Sequence, residues 1–168
     1  MRLFVVMGVA GCGKSTFAEA LAQASGGRYL DADAFHPESN KKKMASGIPL
    51  DDEDREGWLI LLNDMIREHR DQNPEPLFLA CSALKKSYRD ILKKGVKELR
   101  FLFLNGSFEL IRERMEARSD HFMPVELLES QFEALEEPEN AIWFDIIDPP
   151  ERMLERFFNQ YPEMVKSS

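Results

Sequence analysis

The sequence predicts a three-layer α/β fold built on a parallel sheet. Three observations lead there. Strand-like and helix-like stretches alternate along the chain. Leu3 to Met7 and Leu77 to Cys81 are apolar throughout, as strands covered on both faces are. Between the first strand and the first helix, residues 8–15 read Gly-Val-Ala-Gly-Cys-Gly-Lys-Ser, which fits the phosphate-binding pattern G-x-x-x-x-G-K-[ST].

The elements follow in order. A strand over 3–7 enters the loop 8–13. Ala and Leu then recur at helical spacing, so a helix runs over 14–24 and stops at Gly26-Gly27. Arg28 to Leu30 is a short second strand with Asp31-Ala32-Asp33 at its carboxyl end. His36-Pro37 opens a helix over about 38–45, closed by Gly47 and Pro49. Asp52 is the expected N-cap of a helix over about 52–70, with Glu53 and Asp54 following. Trp58, Leu59, Leu61, Leu62, Met65 and Ile66 form its apolar side. Asn73-Pro74-Glu75-Pro76 breaks the chain before the third strand, 77–81. A helix starting at Ser82-Ala83 carries Lys85, Lys86 and Arg89 and ends near Lys94-Gly95. Leu99 to Leu104 is the fourth strand. A helix over about 107–118 carries Arg112, Arg114 and Arg118, and another covers about 125–135. Ile142 to Ile147 is the fifth strand, followed by Asp148-Pro149-Pro150 and an amphipathic helix over about 150–160. The chain reads as one domain, 1–168, with the Arg-rich excursion at about 112–136 as a mobile lid.

The loop brings its own chemistry. Gly8, Gly11 and Gly13 let the main chain wrap a polyphosphate with N–H groups pointing inward. The following helix adds the positive end of its dipole. Lys14 reaches the β- and γ-phosphates and Ser15 holds Mg²⁺. Val9, Ala10, Cys12 and Thr16 complete the nucleotide-binding set.

Ligands of an open parallel sheet bind beyond the carboxyl ends of its strands, so Asp31 and Asp33 face the phosphate site. The third strand ends in Cys81-Ser82 with no acidic residue. The Mg²⁺ task therefore passes to Asp31, through water, and the acceptor hydroxyl to Asp33. The alternative is that Asp-x-Asp only makes a turn and caps a helix. Arg114 and Arg118, four residues apart, share a helix face and suit adenine and phosphates respectively. Their alternative is an exposed pair matched with Glu113 or Glu116. Lys41-Lys42-Lys43 reads as a solvated face, and Trp58 as core. His36 and His121 lack metal-ligand spacing, so no zinc site is expected. Ser82-Ala83-Leu84 resembles a guanine-base motif, but it follows the third strand and no Asn-Lys-x-Asp precedes it.

Composition excludes other classes. The net charge of −8 argues against nucleic acid or an anionic membrane as partner, while local Lys and Arg still admit an anionic small molecule. Two cysteines, Cys12 and Cys81, are too few for a disulfide framework and read as free thiols in a reducing cytoplasm. The stretch before Gly8 is too short for a secretory signal, and no run approaches a transmembrane helix.

Several blocks carry a resemblance. Residues 8–15 are followed by Leu30-Asp31-Ala32-Asp33-Ala34-Phe35-His36-Pro37, then Asn40 and Lys43-Met44-Ala45-Ser46-Gly47-Ile48-Pro49-Leu50. Asp52-Glu53-Asp54-Arg55-Glu56-Gly57-Trp58-Leu59 and Cys81-Ser82-Ala83-Leu84-Lys85-Lys86-Ser87-Tyr88-Arg89 come next. Arg118-Ser119-Asp120-His121-Phe122-Met123-Pro124 and Ser130-Gln131-Phe132-Glu133 close the set. Over roughly residues 3–150 the chain resembles the gluconokinases, P-loop kinases that phosphorylate D-gluconate on its 6-hydroxyl with ATP and Mg²⁺. The resemblance implies a fold similar to shikimate and adenylate kinases, a five-stranded parallel sheet in order 2-3-1-4-5 with a helical lid. It implies that Asp33 orients or deprotonates the acceptor hydroxyl. Arg55, Lys85 and Arg89 would surround the sugar acid, and His36 and Gln131 would contact its hydroxyls. Lys14, Arg114 and Arg118 would serve the nucleotide and the transferring group, and Asp148-Pro149 would lie beside the adenine. A homodimer is common in such a family. The competing readings are another P-loop small-molecule kinase, for shikimate or a nucleoside monophosphate, and a non-catalytic nucleotide-binding module.

Overall fold

The computed structural model describes residues 2–118 and 124–166. Five strands, β1 (Leu3–Met7), β2 (Arg28–Asp31), β3 (Leu77–Ala80), β4 (Leu99–Asn105) and β5 (Ala141–Asp145), form one sheet. Their order is β2-β3-β1-β4-β5, as the resemblance implies. All four neighbouring pairs are parallel, with Val5 of β1 in register with Leu79 on one side and Phe101 on the other.

Among the described residues seven α-helices accompany the strands: α1 (Lys14–Ser25), α2 (Glu38–Ala45), α3 (Asp52–Gln72), α4 (Lys86–Lys93), α5 (Phe108–Ala117), α6 (Val125–Ala134) and α7 (Pro150–Gln160). The strand period of two sends alternate β1 side chains to opposite faces. Phe4 and Val6 join one apolar cluster with Phe17 and Leu21 of α1 and Phe157 of α7. Leu3, Val5 and Met7 join the other, with Leu59, Leu62 and Ile66 of α3 and Leu92 of α4. The sheet is thus buried on both sides, which explains the continuous apolar character of β1 and β3.

Four local expectations are corrected. The N-cap of α3 is Asp51, not Asp52. Its carboxylate accepts from Asp54 N–H at 2.8 Å, and the Asp54 carboxylate accepts from Asp51 N–H at 3.1 Å, a reciprocal capping box. Residues 82–85 are not helical, so α4 starts at Lys86. Ala83 has φ of +46°, a left-handed conformation that cannot continue a right-handed helix. The carbonyls of this turn are taken elsewhere: Gly8 N–H donates to Ser82 and Glu136 N–H to Leu84. β5 stops at Asp145, whose carboxylate accepts from Ile147 N–H at 3.0 Å and turns the chain. α5 stops at Ala117, and Arg118 leaves it in an extended conformation, so Arg118 does not continue the helix face that carries Arg114.

The loops after β1, β2 and β3 open at the carboxyl edge of the sheet, where the strand order reverses around β1. Among the described residues no helix is long and apolar enough to cross a membrane.

Candidate functional site

The phosphate-type loop is shaped by its glycines. Gly13 caps α1 with φ of +95°, a left-handed position that favours glycine. Gly11 has φ of +79°, and a Cβ there would collide with the Met115 side chain of α5. The loop therefore lies tight against α5 with its backbone facing the open side. Lys14 Nζ donates to Val9 O at 3.0 Å, which folds the ammonium back over the loop. Ala10 N–H donates to Gln131 Oε1 of α6 at 2.6 Å. Cys12 and Val9 point into the apolar core, so these two supply backbone rather than cavity wall. Burial raises the Cys12 thiol above its usual range and pushes that of Cys81 up to about 12.

A cavity of about 580 Å³ runs from this loop along the carboxyl edge of the sheet. Ala10, Gly11, Gly13, Lys14, Ser15 and Thr16 line one end. Asp31, Asp33, His36, Arg55, Arg118 and Gln131 also line it. Trp58, expected as core, is buried and belongs to the core, yet also reaches this wall. Its indole N–H donates to Ala32 O at 2.9 Å, and its ring stacks on His36 with centroids 3.9 Å apart. Ser82 and Ser130 line the cavity too and are not among the site residues expected from the sequence. The resemblance blocks contain both, and their contact with the cavity is the added information.

The acidic pair does two things at once. Asp31 Oδ1 accepts from Asp33 N–H at 3.0 Å and caps a short 3₁₀ turn over 32–35, so the pair makes a turn and caps it. Both residues nonetheless line the cavity. Three quarters of the Asp33 side chain is open to solvent, but the surrounding walls still remove part of its hydration. That desolvation, then the neighbouring Asp31 charge, pushes its carboxyl up, with Lys14 opposing. His36 Nε2 stands 3.7 Å from Asp33 Oδ1. Burial, followed by the charges of Arg55 and Lys41, lowers the imidazole to about 4, so it is neutral near pH 7.

A second cavity of about 410 Å³ adjoins the first, sharing Pro49, Leu50, Arg55, Ser130 and Gln131. Arg55 is held at the junction by Leu50 O and by Tyr88 Oη at 3.3 Å, with its guanidinium 5.4 Å from the Tyr88 ring centre. Lys85 lines the second cavity and donates to Asp52 at 2.9 Å. Tyr88 Oη also donates to Asp52, and these two hydrogen bonds hold the carboxylate below its ordinary range.

Other candidates lie elsewhere. Arg89 is buried and lines neither cavity. Its guanidinium donates to Ala83 O at 2.8 Å, Leu84 O at 3.0 Å and Glu136 O at 2.8 Å. The geometry assigns it to tying the 82–85 turn to the chain after α6. Arg114 donates to Ile146 O at 2.6 Å and lines neither cavity. Asp148 N–H closes a turn on Asp145 O and Pro149 caps α7, both outside the cavity walls. Lys43, expected on a solvated face, pairs with Asp54 at 2.8 Å. His121 and the rest of 119–123 lie outside the described residues.

Mg²⁺ in phosphoryl-transfer sites takes oxygen ligands, keeps waters, and relies on one or two carboxylates plus phosphate oxygens. The Ser15 hydroxyl and Asp31 carboxylate are oxygen donors on the same cavity, beside Lys14. This donor set fits the ion.

A family model for shikimate kinase matches residues 10–142. The chain is 49% identical over 136 residues to the thermosensitive gluconokinase of Escherichia coli (strain K12), covering 81% of this chain and 72% of that protein. It superposes on the crystal structure of a gluconokinase from Sinorhizobium meliloti 1021 with TM-score 0.83 and 40% identity, covering 96% and 97% of the two chains. A sugar kinase from Janibacter sp. HTCC2649, solved without ligand, matches with TM-score 0.90 and 41% identity over 99% of both chains.

Proposed function

The chain belongs to the shikimate kinase family and, within it, to the gluconokinases, and from that premise we infer that it transfers the terminal phosphoryl group of ATP to the 6-hydroxyl of D-gluconate. One observation carries the reading: a single cavity joins the phosphate-type loop to Asp33 and then to the cationic corner at Arg55. Donor and acceptor thus share one enclosure, with an acid-base group between them.

Phosphoryl transfer has a loose transition state, so the protein mainly positions and neutralises. Lys14 and Arg118 stabilise charge on the transferring group, and the loop amides from Gly8 to Thr16 hold the phosphates. Asp33 aligns the acceptor hydroxyl and takes its proton at a carboxylate oxygen. Its upward-shifted carboxyl is better matched to that task than an ordinary aspartate. Mg²⁺, when bound with ATP, neutralises phosphate charge, and Ser15 with Asp31 through water would hold it. Arg55 and Lys85 meet the sugar-acid carboxylate, while His36 and Gln131 meet its hydroxyls. Arg89 shapes this corner from behind. Arg114, Asp148 and Pro149 stand toward the nucleotide base. Residues 112–118 and 124–136 close as a lid and keep water from competing as acceptor. A neutral sugar offers no anion to Arg55 and Lys85, so it is a poor substrate. We place the enzyme in the cytoplasm, where buried thiols such as Cys12 and Cys81 stay reduced, and assign it a homodimeric assembly, which sedimentation velocity tests.

The test is ADP release from ATP and Mg²⁺ with gluconate, shikimate, glucose and AMP offered separately. Turnover with gluconate alone supports the reading. Turnover on a different acceptor, or on none, overturns it.

A further inference from the structure

Asn40 sits on α2 and is 2% exposed. Its side-chain Nδ2 makes two contacts. It donates to the main-chain carbonyl of Asp54 at 2.8 Å, and it lies 3.3 Å from His36 Nδ1. The first contact decides the second. Turned the other way, the amide would aim its own oxygen at the Asp54 carbonyl, two acceptors face to face. The Asp54 carbonyl is itself immobile, because Asp54 belongs to the capping box of α3 and its carboxylate is tied to Lys43. The NH₂ group therefore faces both partners. An NH₂ group only donates, so His36 Nδ1 must accept, and the imidazole proton is placed on Nε2.

The ring cannot easily exchange these positions. It is 7% exposed and stacked on Trp58, 17° from parallel, and Trp58 is pinned by its own bond to Ala32 O. The Nε2–H edge faces Asp33 Oδ1 at 3.7 Å, slightly beyond a direct hydrogen bond and within reach of a small shift of either side chain. We propose that Asn40 is a positioning residue: it fixes the Nε2–H tautomer of His36, and that neutral donor orients the Asp33 carboxylate toward the acceptor hydroxyl. Neutrality matters. An imidazolium at the same place would stabilise the Asp33 anion and weaken it as a base, whereas a neutral N–H orients one oxygen with a smaller effect on basicity.

The inference rests on the placement of Asp33 at the acceptor hydroxyl, so two readouts separate the two ideas. The first needs no activity. Nitrogen-15 spectra of histidine-labelled protein report which ring nitrogen of His36 carries the proton. The wild type is expected to show the Nε2–H tautomer, and Asn40→Asp, which offers only acceptors, is expected to give Nδ1–H or imidazolium. An Nδ1–H tautomer in the wild type, or no change in Asn40→Asp, overturns the proposal even if gluconate is the substrate. The second is a double-mutant cycle. Asn40→Leu is expected to lower kcat about tenfold with little change in the KM for ATP, and to cost less than about twofold in a His36→Gln background. Equal losses in both backgrounds would show that Asn40 does not act through His36. Failure of the acceptor panel with the expected tautomer intact would instead remove the gluconate reading and leave the Asn40 arrangement standing. If Asn40→Leu does not fold, the tautomer comparison decides alone.

Discussion

The side-chain oxygen of Gln131 accepts a 2.6 Å hydrogen bond from the main-chain N–H of Ala10, 121 residues away in sequence. Ala10 belongs to the loop proposed to hold the phosphates, so on that reading a protein acceptor occupies a donor that a phosphate oxygen would use. ATP would then displace Gln131 or share the donor with it. Gln131→Leu keeps the bulk and removes the acceptor. A net hydrogen bond is worth about 1 kcal/mol, so ATP is expected to bind roughly fivefold tighter to the variant. Calorimetric titration checks this, and equal or weaker affinity would show that the contact does not compete.

Asp33→Asn keeps size and polarity but loses the carboxylate proposed as the base. Its kcat is expected to fall by about 10²–10⁴-fold while ATP affinity stays near that of the wild type. A loss below about tenfold would remove Asp33 from the proton-transfer role.

Arg55 stands at the junction of the two cavities, anchored by Leu50 O and Tyr88. Arg55→Ala is expected to raise the KM for gluconate far more than that for ATP. Comparable changes in both constants would mean that this corner does not belong to the acceptor.

Arg89 serves three main-chain carbonyls in a buried setting. Arg89→Ala leaves them without these donors and is expected to cost on the order of 3 kcal/mol of stability, read by urea unfolding. Arg89→Lys recovers little of it, because an ammonium lacks the planar fork that reaches all three. A full-stability variant with impaired gluconate binding would return Arg89 to the substrate.

His36 gives stability a pH dependence of definite sign. Its folded pKa is about 4, below the ordinary 6.5, through burial and the nearby charges of Arg55 and Lys41, with Asp31 opposing. As pH falls through 6.5 the unfolded chain takes up the proton first, so folded stability declines between about 6.5 and 4 and levels off below. The difference is at most on the order of 3 kcal/mol. His36→Gln is expected to flatten that part of the profile in urea unfolding at stepped pH. Parallel profiles for the two proteins would contradict it.

Much of this protein was legible in one dimension. Local chemistry written in adjacent residues needs no tertiary information: the glycine spacing of 8–13 dictates a tight loop, the apolar runs of β1 and β3 dictate buried strands, and Lys14 and Ser15 follow from position. Helix ends were less secure. Asp51 and Asp52 are both competent caps, and only the reciprocal bond with Asp54 selects the first. The sequence expects a helix at 82–85 because its helix-breaking element is an alanine in a left-handed conformation, held there by the nearby Arg89 and by Gly8 and Glu136 from distant parts of the chain.

Fold class, phosphate loop and the set of charged residues available to the site are readable from residue order, because those depend on periodicity and on neighbours a few positions apart. Which charges face the cavity and which serve the backbone depends on how the chain packs. Arg55 and Arg89 look alike in sequence, yet one lines both cavities and the other is buried on carbonyls. Asn40 carries no signal beyond its place in a resembling block, and its meaning comes from Asp54 on another helix. A guanidinium or an amide takes its role from the acceptors that folding brings within about 3 Å, and that distance is not written in the spacing of residues along the chain.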